Sequence, residues 1–134
     1  MSSIPTGEDV LDPSEPVYDL AKVADVMRVP VTKVQQQLRD GHLIAIRRNK
    51  VPLVPQAFFA KSGQVAKGLP GLLAVLRDGG YDDADILRWL FTADPTLTLT
   101  RDGTSELIEN ARPIDALHSH QAREILRRAQ AMAY

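Results

Sequence analysis

Pro30 stands between two short amphipathic segments, and this break restricts the folds open to the 134-residue chain more than any other feature. Proline disfavours helical geometry in the residue before it, so an upstream helix has to end near Arg28 or Val29. The same ring suits the start of a following helix, where its missing N–H has no partner to lose. Upstream, Leu20, Val23, Ala24 and Met27 recur at three- and four-residue spacing behind Asp19, a good N-cap residue. Downstream, Val31, Val34 and Leu38 fall at i, i+3 and i+7, and Gly41 can close that helix as its C′ residue. The spacing predicts two helices joined by a tight turn, the second over residues 31–40, with Val31, Val34 and Leu38 packed on the first.

The residues that follow read as a hairpin. Leu43-Ile44-Ala45-Ile46 and Val51-Pro52-Leu53-Val54 suit strands, and Arg47-Arg48-Asn49-Lys50 suits the loop between them. Three like charges at a hairpin tip repel one another, and a polyanion relieves that repulsion. Pro52 fits an edge strand, which a two-stranded hairpin provides. Residues 19–55 thus have the layout of a winged helix-turn-helix. The fold class expected is mainly α: a winged helix-turn-helix with a two-stranded β wing, followed by a C-terminal helical region.

The polar side chains of this unit point to double-stranded DNA as the partner. Thr32, Lys33, Gln36 and Gln37 share the exposed side of the second helix, with Gln35 and Arg39 flanking it. Long donor-rich side chains on a short second helix suit major-groove reading, since Lys reaches guanine or phosphate and Gln pairs with adenine. The candidate DNA-contacting set is Thr32, Lys33, Gln35, Gln36 and Arg39 on the helix and Arg47, Arg48, Asn49 and Lys50 on the wing. His42, near the wing, faces phosphate or solvent.

Charge distribution agrees with this. The net charge is only −1, but residues 19–68 carry nine bases and three acids. Residues 1–18 carry four acids and no base, and residues 69–134 carry seven bases and ten acids. One basic island therefore lies between two acidic stretches, and it coincides with the helix-turn-helix.

Leu20-Ala21-Lys22-Val23-Ala24-Asp25-Val26-Met27-Arg28-Val29, Val34 and Leu38-Arg39-Asp40-Gly41-His42-Leu43 resemble the helix-turn-helix and start of the wing in the MerR and excisionase-like winged-helix group. Pro30 stands where that group usually has Ser or Thr, and Gln35 and Gln36 where it often has paired arginines. The DNA contacts transfer by position only. Over most of residues 4–134 the chain is also similar to a small actinobacterial, chiefly mycobacterial, family of winged-helix DNA-binding proteins. The resemblance rests on the winged helix together with Gln56-Ala57-Phe58-Phe59, Leu69-Pro70-Gly71-Leu72-Leu73, Leu87-Arg88-Trp89-Leu90-Phe91 and the run from Ala111 to Glu124. It implies DNA binding tuned, in some members, by a membrane Ser/Thr kinase acting on an N-terminal threonine. Thr6 is the nearest candidate here.

Residues 1–17, with Pro5, Gly7, Pro13 and Pro16 among scattered acids, read as a flexible acidic tail. Its hydroxyls at Ser2, Ser3, Thr6 and Ser14 are open to a kinase, and its acids can shield the basic domain as a pseudo-ligand. The domain division expected is tail 1–17, winged helix 18–66 and helical region 67–134. Gln56 to Lys61 starts a helix that backs the wing, with Phe58 or Phe59 turned into the core, and Lys67 to Gly71 marks a junction before the helical region. A helix then ends at Gly79-Gly80, and Asp82 or Asp83 caps the next, whose apolar face is Ile86, Leu87, Trp89, Leu90 and Phe91. Thr96 to Thr100 alternates as a strand, Arg101-Asp102-Gly103 suits a turn, and Pro113 opens a final helical portion.

The four aspartates at 78, 82, 83 and 85 would repel phosphates, so the second helix pair is read as a packing or dimerisation element. Ile86-Leu87-Arg88-Trp89-Leu90 followed by Ala111 to Leu117 is similar to the toxin-binding region of Xre-, MbcA- and ParS-type antitoxins. That makes a protein partner bound through residues 69–134 the alternative function.

An enzyme is not expected. His118 and His120 point apart on a helix, and no Gly-rich phosphate loop, nucleophile elbow or metal-spaced cluster is present. No cofactor is expected. With no cysteine, no secretory signal and no apolar run of about 18 residues, a cytoplasmic protein associated with the nucleoid is the expectation.

Overall fold

The computed structural model describes residues 4–100 and 105–134. Strand β1 (Val17–Asp19) runs directly into helix α1 (Leu20–Met27), and Asp19 serves both. Its carboxylate accepts the Lys22 N–H at 2.7 Å and caps α1. Arg28 ends α1 in the left-handed region, at φ 59°, as the C-terminal turn demands. Pro30 then precedes α2 (Val31–Arg39). Val23, Ala24, Val34 and Leu38 are buried between the two helices. Val31 differs from expectation: it is 37% exposed, because it lies in the first turn of α2, beyond the contact with α1.

The hairpin is shorter and tighter than the sequence suggests. Strand β2 is Ile46–Arg48 and β3 is Val51–Pro55. Leu43, Ile44 and Ala45 are buried but belong to a connection rather than a strand. Arg47 and Arg48 lie in β2, paired with Pro52 and Val51, so the loop is only Asn49-Lys50. Both turn residues have positive φ, 49° and 67°. That is the two-residue hairpin turn whose twist matches the strands.

β1 adds a third strand, in the order β1-β3-β2. It pairs with residues 53–55 of β3, while β2 pairs with residues 51–53. Pro52 and Pro55 therefore each sit where β3 has one neighbour, and the missing N–H groups break no ladder.

Residues 4–17 are not a free tail. The Gly7 N–H donates to the Ala45 carbonyl at 2.8 Å, and Leu11 is buried. Ile4, Val10 and Val17 pack on the core. The segment straps across the hairpin because its few apolar residues find a ready surface there. Of the hydroxyls open to a kinase, Ser2 and Ser3 lie outside the described residues.

After β3, a single 3-10 turn (Gln56–Phe58) replaces the expected helix, and Phe58 and Phe59 enter the core. Leu69-Pro70-Gly71 is the first turn of α3 (Leu69–Asp78) rather than a junction, with proline near the N-terminus where it costs no bond. Helix α4 (Asp83–Phe91) starts with a reciprocal cap: Asp82 accepts the Asp85 N–H at 2.8 Å and Asp85 accepts the Asp82 N–H at 3.4 Å. Strand β4 (Thr98–Thr100) pairs antiparallel with β5 (Leu107–Glu109), which the sequence did not signal. The turn expected at Arg101 to Gly103 lies outside the described residues.

Helices α5 (Pro113–Leu117) and α6 (Ala122–Ala133) complete the chain, and α6 packs on α3. One buried cluster includes Val34 and Leu38 of α2 as well as Leu72, Leu87 and Ile125. Arg77 helps join the halves, donating to the Gly41 carbonyl and pairing with Asp83 at 3.0 Å. Among the described residues no buried polar side-chain atom lacks a partner, and no helix is long and apolar enough to cross a membrane.

Candidate nucleic-acid interface

Burial of Val34 and Leu38 fixes how α2 is rotated, and so decides which side chains face out. Thr32, Lys33, Gln36 and Arg39 are exposed, while Gln35 and Gln37 are half-buried on the flanks. The residues expected to read DNA therefore share one solvent face. That face is already hydrogen-bonded within itself. Gln36 donates to Asp40 at 2.8 Å and accepts from Arg39 at 3.3 Å. Gln37 meets the His42 ring at 3.0 Å, which holds His42 to the end of α2 rather than free for phosphate. A base that binds Gln36 has to exchange with Asp40, an acid whose role the sequence did not reveal.

The wing presents its cations unequally. Arg47, Asn49 and Lys50 are exposed, Arg47 because alternation along β2 turns it opposite to buried Ile46. The Arg47 guanidinium donates to the Lys50 carbonyl at 3.2 Å and reaches the Thr6 hydroxyl at 3.5 Å. Arg48 is occupied. Its Nε donates to an Asp9 carboxylate oxygen at 2.7 Å, and it also donates to the Asp12 carbonyl at 3.0 Å. The strap thus lays one acid on the wing's second arginine and sets Thr6 beside its first.

Asp12 itself is engaged. The Ser14 hydroxyl, the Ser14 N–H and Arg48 together hold its carboxyl below the usual range. The sequence hinted at the strap through its acid excess, but the pairing of Asp9 with a residue 39 positions away had no local signal.

The strap also reaches the helical region. Glu15 accepts from Arg112 at 2.5 Å, and Arg112 pairs with Asp115 at 2.8 Å while its guanidinium lies 5.2 Å from the Phe91 ring centre. Hydrogen bonds donated by its guanidinium to Asp115, then to Glu15, hold the Arg112 pKa above its ordinary value against the opposing effect of burial. On α6, Arg127 and Arg128 are both paired with Glu124, and Arg128 also with Asp94. These arginines are committed to structure. Among the described residues no group of acids and histidines is arranged to hold a metal ion.

Comparison with known proteins agrees with this geometry. The family described as "DNA-binding protein Rv2175c, wHTH domain" matches residues 3–59, and that described as "Rv2175c C-terminal domain of unknown function" matches residues 66–133. The chain is 64% identical over 134 residues to a Mycobacterium tuberculosis protein named "DNA-binding protein Rv2175c", covering all of this chain and 92% of that one. It also superposes on a solution structure titled "NMR structure of Rv2175c" with a TM-score of 0.88, at 65% identity, covering 99% of this chain and 91% of the other.

Proposed function

The chain belongs to the Rv2175c family of mycobacterial winged-helix proteins, and we propose that it is a transcriptional regulator that binds double-stranded DNA in the cytoplasm, at the nucleoid. The single observation that carries this is the exposed polar face of α2 beside a hairpin whose turn carries Lys50 and whose outer strand carries Arg47. In this reading Thr32, Lys33, Gln35, Gln36 and Arg39 meet base edges, and Arg47, Arg48, Asn49 and Lys50 meet phosphates.

A Ser/Thr kinase acting on Thr6 fits the same geometry. A phosphate there would carry about −1.5 to −2 charges beside Arg47 and compete with DNA for it. A single small reading helix gives modest specificity, so two copies on two half-sites are part of the proposal.

The test is a mobility-shift titration against a random-sequence duplex pool and against its selected winners, with salt varied. Changing Arg47, Arg48 and Lys50 together to Ala should weaken binding to every sequence and reduce the salt slope by up to about three phosphate contacts. Gln36→Ala should instead alter preference among sequences. Unchanged binding by the triple variant refutes the wing assignment, and a uniform loss with Gln36→Ala makes it a backbone contact.

One observation favours a second reading, a protein partner held through residues 69–134. A recess of about 670 Å³ beside α4 is lined mainly by apolar groups, including Tyr81, Trp89, Pro95, Pro113 and Met132. If the full chain shifts no duplex and instead captures a protein, lost on Trp89→Ala, this antitoxin-like reading replaces the first.

A further inference from the structure

We propose that Arg28 and Lys61 form a second phosphate-binding site, at the opposite end of β3 from the wing tip, so that duplex DNA is gripped on both sides of α2. This rests on the DNA-binding reading above. Arg28 and Lys61 are both exposed, and both line one recess of about 520 Å³. Tyr18, Gln56 and Ser62 add hydroxyl and amide groups to it, and Asp25 is the one acid in its lining. Neither cation is hydrogen-bonded or ion-paired through its side chain among the described residues, unlike Arg48, Arg77, Arg112, Arg127 and Arg128.

The loop that carries Lys61 is built into place. The Ala60 N–H donates to the Gln64 carbonyl at 2.8 Å, the Gly63 N–H donates to the Ala60 carbonyl at 2.9 Å, and Phe59 bridges Val65. Buried Gly63, at φ 88°, brings this loop so close to the end of α1 that a Cβ would overlap the Val26 carbonyl. The loop is therefore locked against the corner between α1 and α2. Arg28 sits at that corner in a fixed left-handed turn, three residues before α2, whose N-terminus has no side-chain cap.

Spacing supports a clamp. From Lys50 to Gln56 the chain follows β3, a span of about 20 Å at 3.3 Å per residue. A major groove is about 12 Å wide, so cations at the two ends can straddle the groove that α2 enters.

The test is the salt dependence of full-chain binding to a random-sequence duplex, for wild type, Arg28→Gly, Lys61→Gln and the double variant. Arg28→Gly removes the cation while suiting the left-handed backbone better than arginine does, so the fold is preserved. Each single change should lower the slope of log K against log salt by about 0.9 and the double by about 1.8, equally on all sequences. Lys61→Arg should restore the wild-type slope. A wild type that binds while the double variant keeps its slope overturns the clamp and leaves the DNA-binding reading standing. A wild type that binds no duplex overturns that reading, and the clamp with it.

Discussion

Replacing Asp9 with Asn should make the wing a better ligand for DNA, although Asp9 lies outside the helix-turn-helix. In the free protein Asp9 and the Asp12 carbonyl hold Arg48, with side chains only 19% and 26% exposed for Arg48 and Asp9. Before Arg48 can meet a phosphate, that pair has to open. A partly exposed ion pair contributes about 0.5–1 kcal/mol, and releasing Arg48 is then worth about two- to fivefold in affinity. One further phosphate neutralised steepens the salt slope by about 0.9.

The assay is a fluorescence-anisotropy titration of a labelled duplex at several salt concentrations, with urea melting to check that the fold is kept. Glu8→Gln is the control, since it removes the same charge one residue away without touching Arg48. Asp9→Asn should bind more tightly and more salt-sensitively than Glu8→Gln. Equal slopes and affinities for the two variants would refute the argument. Weaker binding by Asp9→Asn would show instead that Asp9 aims Arg48 at the backbone. Thr6→Glu acts in the reverse sense, adding an acid near Arg47. It should lower affinity and flatten the slope by about 0.9, and unchanged binding would remove Thr6 as a control point.

Two predictions concern stability. Asp82→Ala removes the reciprocal cap of α4 and should cost about 0.5–2 kcal/mol, seen as a melting temperature lower by a few degrees; an unchanged melt would show that the cap is redundant. Arg127, then Arg128, hold the Glu124 carboxyl below the ordinary glutamate range. Its contribution is therefore full above the unfolded value of about 4.3 and is lost as pH falls through the lower folded value. Glu124→Gln should melt below wild type near neutral pH and converge with it in strong acid, whereas a gap that ignores pH would refute the pairing.

Features set by neighbours in sequence could be read in advance. Pro30, the Asp19 cap, the Asp82 cap and the stop at Gly79-Gly80 act within one helical turn, and each stands where its chemistry places it. The outward set on α2 was legible for the same reason, since periodicity alone turns Val34 and Leu38 inward.

The misses have tertiary causes. Leu43 to Ala45 has strand composition, but the strap and the C-terminal half bury it as a connection. Lys50 gives no turn signal, yet the twist of β2 and β3 holds it in the left-handed region that most side chains avoid. Strand β5, Leu-Ile-Glu, is too short to show a period. The strap carries too few apolar residues to announce itself, and its partners lie 36 to 97 residues away. Every residue named for DNA contact on α2 is accessible or half-accessible, but the acids that occupy Gln36 and Arg48 are visible only in the fold.

The bridge from Gly7 to β2 also bears on self-association. An unpaired sheet edge is a template for another chain, and the winged sheet leaves little of one. On β2 the outer edge begins with the Gly7 bridge and continues as two arginines, while β1 is three residues long and turns at once into a helix. The β4–β5 hairpin is less guarded: the Gln121 amide donates to the Thr98 carbonyl of β4 at 2.5 Å, but on β5 Leu107 is 63% exposed. In concentrated solution, precipitation by strand addition should begin at that hairpin, and Leu107→Lys should delay it without altering the DNA-binding half.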